Sequence, residues 1–255
     1  MHRIIPLLIL ITMHPGLDSI AQDIQAREGV VLLHGLGRSS DSMKKMESAL
    51  RKAGFVVYNV NYPSRTASIE TLADKVITSA LQNDQFDDCS TVHFVTHSLG
   101  GILVRSYVAR HDTARIGRVV MLGPPNQGSE VVDRIGAWPV FKSIGGLAGQ
   151  ELGTGDNSTP NHLGPVAFEL GIIAGDRSIN WINSLMIDGK DDGKVSVERT
   201  KVEGMTGHMV IHATHPYLMK NKQAIMNTIH FLKTGTFTPL PPVDKKKGGM
   251  VKDGV

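Results

Sequence analysis

The chain has 255 residues, 41% of them hydrophobic, and 27 Lys and Arg against 24 Asp and Glu give a formal net charge of +3. That length and apolar content suffice for one domain with a full core. Lys245, Lys246, Lys247 and Lys252 against Asp244 and Asp253 place +2 of the charge in the segment 239–255. The body is therefore almost neutral and offers no basic face suited to nucleic acid. The single cysteine, Cys89, excludes an intramolecular disulfide and a cysteine-rich metal site. Its place in a polar connector ahead of a strand reads as a spectator thiol.

At the N-terminus, Arg3 precedes an apolar run from Ile4 to Met13 and a polar stretch ending Ser19-Ile20-Ala21. A short positive region, an apolar segment too short to span a bilayer and small residues before a cut make the layout of a secretory signal. Pro6 inside the run and the single positive charge depart from that layout. The expectation is cleavage after Ala21 and export to the periplasm or beyond; left uncleaved, the same segment holds the protein at a membrane. One domain is expected over residues 22–238, and residues 239–255 read as a disordered basic tail.

Within the domain, Gly29–Leu33 is an apolar strand running into His34-Gly35-Leu36-Gly37. Ser40 or Asp41 caps a helix whose buried stripe is Met43, Met46 and Leu50, and Gly54 ends it. Phe55–Val60 is the second strand, closed by Tyr62-Pro63. Ser68 caps the next helix, where Ile69, Leu72, Ala73, Val76, Ile77, Ala80 and Leu81 share one face. Val92–Val95 is the third strand, an apolar helix starts at Ile102, and Arg118–Leu122 is the fourth strand. Regular alternation of this kind predicts a parallel sheet with helices on both faces. From Gly123 to about Gly164 the alternation lapses into Gly, Pro and Asn, with short apolar patches at Ile135–Phe141 and Ile144–Leu147. An insertion this long, at about 124–165, is usually functional or poorly ordered, and its place after a strand suits a lid over a substrate site. Leu170–Ala174 is a further strand and Lys201–Ile211 one or two more. A helix from about Pro216 to Leu232, with proline in its first turn, closes the fold. The chain carries no internal repeat.

The chemistry centres on Thr96-His97-Ser98-Leu99-Gly100-Gly101, where an apolar strand turns sharply into an apolar helix. α/β-Hydrolases present a nucleophilic serine on such a turn, and the residues two before and two after it must be small. Gly100 meets that need; Thr96 replaces the usual glycine with a compact residue suited to a strand end. An alcohol is a poor nucleophile at neutral pH, so Ser98 needs a histidine base and a carboxylate to orient it. In this fold the order is serine, acid, histidine, with the last two on loops after late strands. His215, just past the last strand, fits the base. His208 and His212 fall in or beside that strand, where alternation points them elsewhere, and read as surface or packing residues. Position alone makes Asp176 an acid candidate beside Asp192, while Asp188 and Asp191 read as solvated or turn aspartates. The oxyanion needs two N–H donors: Leu99, directly after the serine, and Leu36, in a turn whose glycines free the backbone. His97 and His34 read as packing and loop-supporting residues.

With these pieces in order, the chain resembles the bacterial triacylglycerol lipase and esterase group of the α/β-hydrolase superfamily over about Gly29 to Leu232. The pieces that carry it are Val31-Leu32-Leu33-His34-Gly35-Leu36-Gly37, the Ser98 turn, Gly123-Pro124-Pro125-Asn126-Gln127-Gly128-Ser129 and Asp192-Gly193-Lys194-Val195-Ser196-Val197. The last run looks like the D-G-x-V-x-V acid loop of that group, which favours Asp192 over Asp176. The resemblance implies hydrolysis of carboxylic esters by Ser98, Asp192 and His215 on ester or lipid substrates, with transient contact at a lipid interface. The same triad also serves thioesterases, amidases and acyltransferases, and fold alone also admits a non-catalytic binding module. No metal or cofactor is expected, because His208, His212 and His215 lack a carboxylate cluster at ligand spacing. None of these motifs speaks to oligomeric state. N-terminal sequencing of the exported protein checks the cleavage: Gln22 is the expected first residue, and an intact Met1 contradicts it.

Overall fold

The computed structural model describes residues 27–136, 138–178 and 187–238. The N-terminal apolar run with the expected cleavage after Ala21, and the expected basic tail, lie outside the described residues. The strands are β1 (Arg27–Leu33), β2 (Val56–Val60), β3 (Cys89–His97), β4 (Ile116–Leu122), β5 (Leu170–Gly175) and β6 (Gly207–Ile211). They form one sheet in the order β2-β1-β3-β4-β5-β6, with every neighbouring pair parallel. The helices are α1 (Lys44–Lys52), α2 (Ile69–Leu81), α3 (Leu99–Val108), α4 (Glu130–Ile135), α5 (Pro139–Gln150), α6 (Thr159–His162) and α7 (Lys222–Thr234).

Successive strand residues point to opposite faces, and this divides the core in two. Val31, Leu33, Phe94, Val119 and Met121 pack with Ile69 and Leu72 of α2 and Ile102 and Leu103 of α3. Val30, Leu32, Val95, Val120 and Leu122 pack with Met46 and Leu50 of α1 and Phe231 of α7. Burial on both faces is why the strands read as unbroken apolar runs.

The helix after the serine lies unusually close to the sheet. A Cβ on Gly100 would sit 2.8 Å from the Leu33 carbonyl oxygen. One on Gly101 would sit 2.9 Å from Met121 Sδ. Two glycines in succession therefore let the first turn of α3 rest on the ends of β1 and β4 at once. This helix begins at Leu99, three positions earlier than the apolar run suggests, because the glycines that look like a breaker are its contact surface. Cys89 belongs to β3 and is buried, so it is part of the core edge and not of a connector.

The segment 201–211, expected to hold one or two strands, holds one, β6, preceded by a turn. Two further expectations need correction. The closing helix is two pieces: a 3-10 stretch over His215–Lys220, then α7. The break falls at Asn221, whose Oδ1 accepts from the backbone N–H of Gln223 and Ala224 at 2.8 and 3.1 Å, a side-chain cap that starts a new helix. The insertion is helical, carrying α4, α5 and α6, with α5 interrupted at Gly146 (φ 61°). Its two ends are gathered by one buried side chain of α3. Arg105 donates to Asn126 O and Oδ1 at 2.9 and 3.2 Å and to Gly164 O at 2.7 Å.

Gly100→Ala is expected to destabilise the protein by about 1–3 kcal/mol, because the added methyl meets backbone. The urea unfolding midpoint measures this, and an unchanged midpoint refutes the close-contact account.

Candidate active site

Ser98 sits between β3 and α3 with φ 51° and ψ −120°, and it is the sole non-glycine residue with positive φ among the described residues. A non-glycine residue in a sparsely populated region persists only where its surroundings dictate it. Here they do: its N–H donates to Leu122 O at 2.9 Å, and its carbonyl accepts from Gly101 N–H at 3.0 Å. Thr96 is fully buried, paired in the sheet with Leu33 on one side and Met121 on the other. Its hydroxyl has no hydrogen-bond partner among the described residues. A compact β-branched residue is accommodated there by the sheet.

His215 and Asp192 meet behind the serine. Asp192 Oδ2 accepts from His215 Nδ1 at 2.7 Å, and both side chains are buried. A carboxylate only accepts, so Nδ1 carries the proton and Nε2 keeps its lone pair. The other Asp192 oxygen, Oδ1, accepts from the Lys194 and Val195 N–H groups, each at 3.0 Å. The His215 N–H donates to the Asp192 backbone carbonyl at 2.9 Å. Side chain and main chain therefore both tie the two loops together. Asp191 serves its own turn, accepting from Gly193 N–H at 2.6 Å. Asp176 is engaged elsewhere, 2.9 Å from His212 Nδ1 in an exposed pair. His208 lies 2.9 Å from Thr200 Oγ1.

The His34–Gly37 turn closes the other side. His34 Nδ1 donates to Gly35 O at 2.9 Å, Nε2 accepts from Tyr62 N–H at 3.3 Å, and Tyr62 Oη donates to His34 O at 2.5 Å. The two rings stack at 4.1 Å, so His34 is the brace of its turn. Arg38 N–H donates to Gly35 O at 3.2 Å and Gly37 N–H to Ser64 Oγ at 2.9 Å. A Cβ on Gly35 would lie 3.2 Å from Ser98 Cβ, which sets this turn against the serine. Leu36 lies within it. Leu99 is the first residue of α3, where backbone N–H groups have no intrahelical partner.

Ser98, His215 and Leu36 share the lining of one cavity of about 350 Å³. Val131, Val132 and Leu152 of the insertion form its apolar wall. Asp192 stands behind His215, almost fully buried. The reading of His97 as packing misses two things: its ring lines the cavity and its Nε2 donates to the His215 carbonyl at 3.0 Å. It lies on the same face of β3 as Val95, the face that α7 covers, and period two already puts it there. Gly123, at φ 56°, was also without an assigned role: a Cβ there would meet Asp192 Oδ2 at 3.0 Å and His215 Nδ1 at 3.1 Å. Its signal is a glycine directly after the last apolar residue of β4. Among the described residues, no group of three His, Cys, Asp or Glu side chains is placed to hold a metal ion, and no helix is long and apolar enough to cross a membrane.

A family model for palmitoyl protein thioesterases matches residues 29–157. No curated protein sequence matches the chain. Solved structures share its fold. The mature form of the Bacillus licheniformis lipase BlEst2 is 21% identical with a TM-score of 0.63, over 83% of this chain and 93% of that one. Phospholipase PlaB from Legionella pneumophila is 14% identical with a TM-score of 0.61, over 81% of this chain and 62% of that one. A thermophilic esterase from Thermogutta terrifontis is 14% identical with a TM-score of 0.57, over 82% of this chain and 90% of that one. The doubly covered parallel sheet is the α/β-hydrolase fold.

Burial lowers the pKa of His34 and His93, and that of His97 well below the ordinary histidine value, the His215 charge acting next in the case of His97. These rings take up protons less readily in the fold than in the unfolded chain, which protonates its histidines below about pH 6.5. Stability therefore falls as pH drops below that value, each ring contributing a slope of up to about 1.4 kcal/mol per pH unit. His97→Gln, which keeps an N–H donor, is expected to lose less stability than the parent between neutral and mildly acidic urea titrations. Equal losses contradict the assignment to His97.

Proposed function

The chain belongs to the palmitoyl protein thioesterase family, within the lipase and esterase group of the α/β-hydrolases, and from that premise we propose that it cleaves acyl esters through a serine acyl-enzyme. One observation carries the reading: a serine on a strained strand-to-helix turn shares a cavity with a histidine whose far nitrogen is held by a buried aspartate. Ser98 Oγ attacks the acyl carbonyl carbon, and its proton passes to His215 Nε2. The carbonyl electron pair moves onto oxygen, which the Leu36 and Leu99 N–H groups hold. Collapse of this intermediate breaks the bond to the leaving oxygen or sulfur, which takes the proton from His215. Water, giving its proton to the same nitrogen, then attacks the acyl-enzyme, releases the acid and restores Ser98. Asp192 keeps the ring in the needed tautomer and stabilises its charged form throughout.

The apolar wall of Leu36, Val131, Val132 and Leu152 suits the acyl part of the substrate. Membership of a thioesterase family favours thioesters as a second substrate class; they reach the same acyl-enzyme. Trp138 and Leu147, on the insertion that also supplies the cavity wall, are 59% and 57% exposed, and exposed large apolar side chains favour contact with a lipid interface. Export by the N-terminal segment belongs to the same proposal.

Ser98→Ala is expected to abolish fluorophosphonate labelling and burst release from p-nitrophenyl esters. Asp192→Asn should lower kcat by a factor on the order of 10³–10⁴, as loss of the correct tautomer does elsewhere. Asp176→Asn should stay within about twofold of the parent, since its partner is His212. A large loss confined to the second aspartate variant moves the acid role to Asp176, and labelling of Ser98→Ala at the parent's level overturns the reading.

A further inference from the structure

Two cations share the cavity with Ser98. Arg38 directly follows the Leu36 turn, Lys194 follows the acid by two residues, and both line the space with Ser98 and His215. No carboxylate among the described residues lines it. Elsewhere Arg51, Arg110, Arg118 and Arg199 each lie against a carboxylate; neither Arg38 nor Lys194 forms such a pair among the described residues. The two lie close enough to act on each other. Desolvation lowers the Lys194 pKa, Asp192 opposes that shift, and the Arg38 charge adds to it. Like charges facing one cleft repel and concentrate a positive field there, which an anion between them relieves.

Their backbones are fixed in the turns that flank the site. Lys194 N–H donates to Asp192 Oδ1 at 3.0 Å, and the Lys194 carbonyl accepts from Ser129 Oγ at 2.7 Å. The turn that presents Arg38 is closed onto Gly35 O at 3.2 Å. Lys194 thus stands in the loop whose aspartate holds His215, the group that protonates the leaving atom. The apolar wall of the insertion stands ready for the acyl chain. We propose that the leaving group of the substrate carries an anionic phosphate or carboxylate, held between Arg38 and Lys194. This deepens the acyl-ester reading above and rests on it.

The test uses esters of one acyl chain with two leaving groups, 4-nitrophenol and 3-carboxy-4-nitrophenol. The readout is the ratio of kcat/KM for the anionic over the neutral ester, each corrected for its hydroxide-catalysed rate. Both residues are exposed although they line the cavity, so the doubly substituted Arg38→Ala, Lys194→Ala protein is expected to keep the fold. Its ratio is expected to fall by about tenfold or more, and the parent's ratio to fall as salt is raised. A ratio that neither the substitutions nor salt change overturns the anion site, while Ser98-dependent turnover of the neutral ester keeps the hydrolase reading standing. A parent that turns over neither ester overturns the hydrolase reading, and the anion site is then decided by binding to the Ser98→Ala protein. Decyl phosphate and decanoate are titrated against decanol: tighter binding of either anion that is lost with Arg38→Ala, Lys194→Ala supports the site and tells phosphate from carboxylate. Equal binding of all three overturns it.

Discussion

The approach of α3 to the sheet governs the geometry of everything around it. Its first turn rests on β1 through Gly100 and on β4 through Gly101, at distances where any Cβ would collide. A helix that starts so close to the strand feeding it leaves one residue to reverse the chain direction. That residue is Ser98, held at φ 51° by a hydrogen bond to Leu122 and by the α3 bond to its own carbonyl. Such a conformation costs on the order of 1–3 kcal/mol for a residue with a Cβ. Burial of Leu99, Ile102 and Leu103 in the layer that α3 shares with α2 offsets a cost of that size, since one fully buried large aliphatic side chain contributes about 1.5–3 kcal/mol.

From that turn the parallel sheet does the rest of the positioning. All strands run the same way, so each strand's carboxyl end opens onto one edge, where ligands bind in open α/β sheets. The His34 turn leaves β1, Ser98 leaves β3, Gly123 leaves β4, and the His215 segment follows β6. The loop that carries Asp192 reaches the same edge from its place between β5 and β6, tied to β6's loop by the His215 N–H and ring. Precision at the site comes from backbone donors and from absent side chains, more than from long polar residues reaching inward. Gly123 is the clearest instance, since a methyl there would press on the Asp192–His215 bond.

How far the sequence revealed this depended on the kind of signal each feature leaves. Strands buried on both faces leave contiguous apolar runs, so β1 to β5 were legible, as were the stripes of α1 and α2. Motif spacing likewise picked out Ser98, His215, Asp192 and the Leu36 turn, which the structure gathers around one cavity and its immediate backing. The insertion was not legible because its helices are short and interrupted at Gly146, which erases a 3.6-residue period. The start of α3 was misplaced because Gly100 and Gly101 read as helix-breaking by propensity, while tertiary contact decides their role. Local pattern cannot reveal the bond from His97 to the His215 carbonyl, which joins residues far apart in the chain. Asp176 and Asp192, both plausible by position, differ in their partners, His212 for the first and His215 for the second.

Arg105 has a consequence for how the cavity wall can vary. Its guanidinium holds Asn126 and Gly164 together from within α3, so the chain between them is a loop closed at its mouth, where Asn126 Nδ2 also donates to Thr200 O at 2.8 Å. The entropy of closing a loop grows only with the logarithm of its length, about 0.6 kcal/mol per doubling. With both ends anchored to the helix that follows Ser98, residues can be gained or lost in the exposed turn 155–157 between α5 and α6 at little cost to the Ser98 turn beneath. The fold thus separates a frame built on the sheet and α3 from a wall built on the insertion, and on the proposed function that wall would set which acyl chains fit.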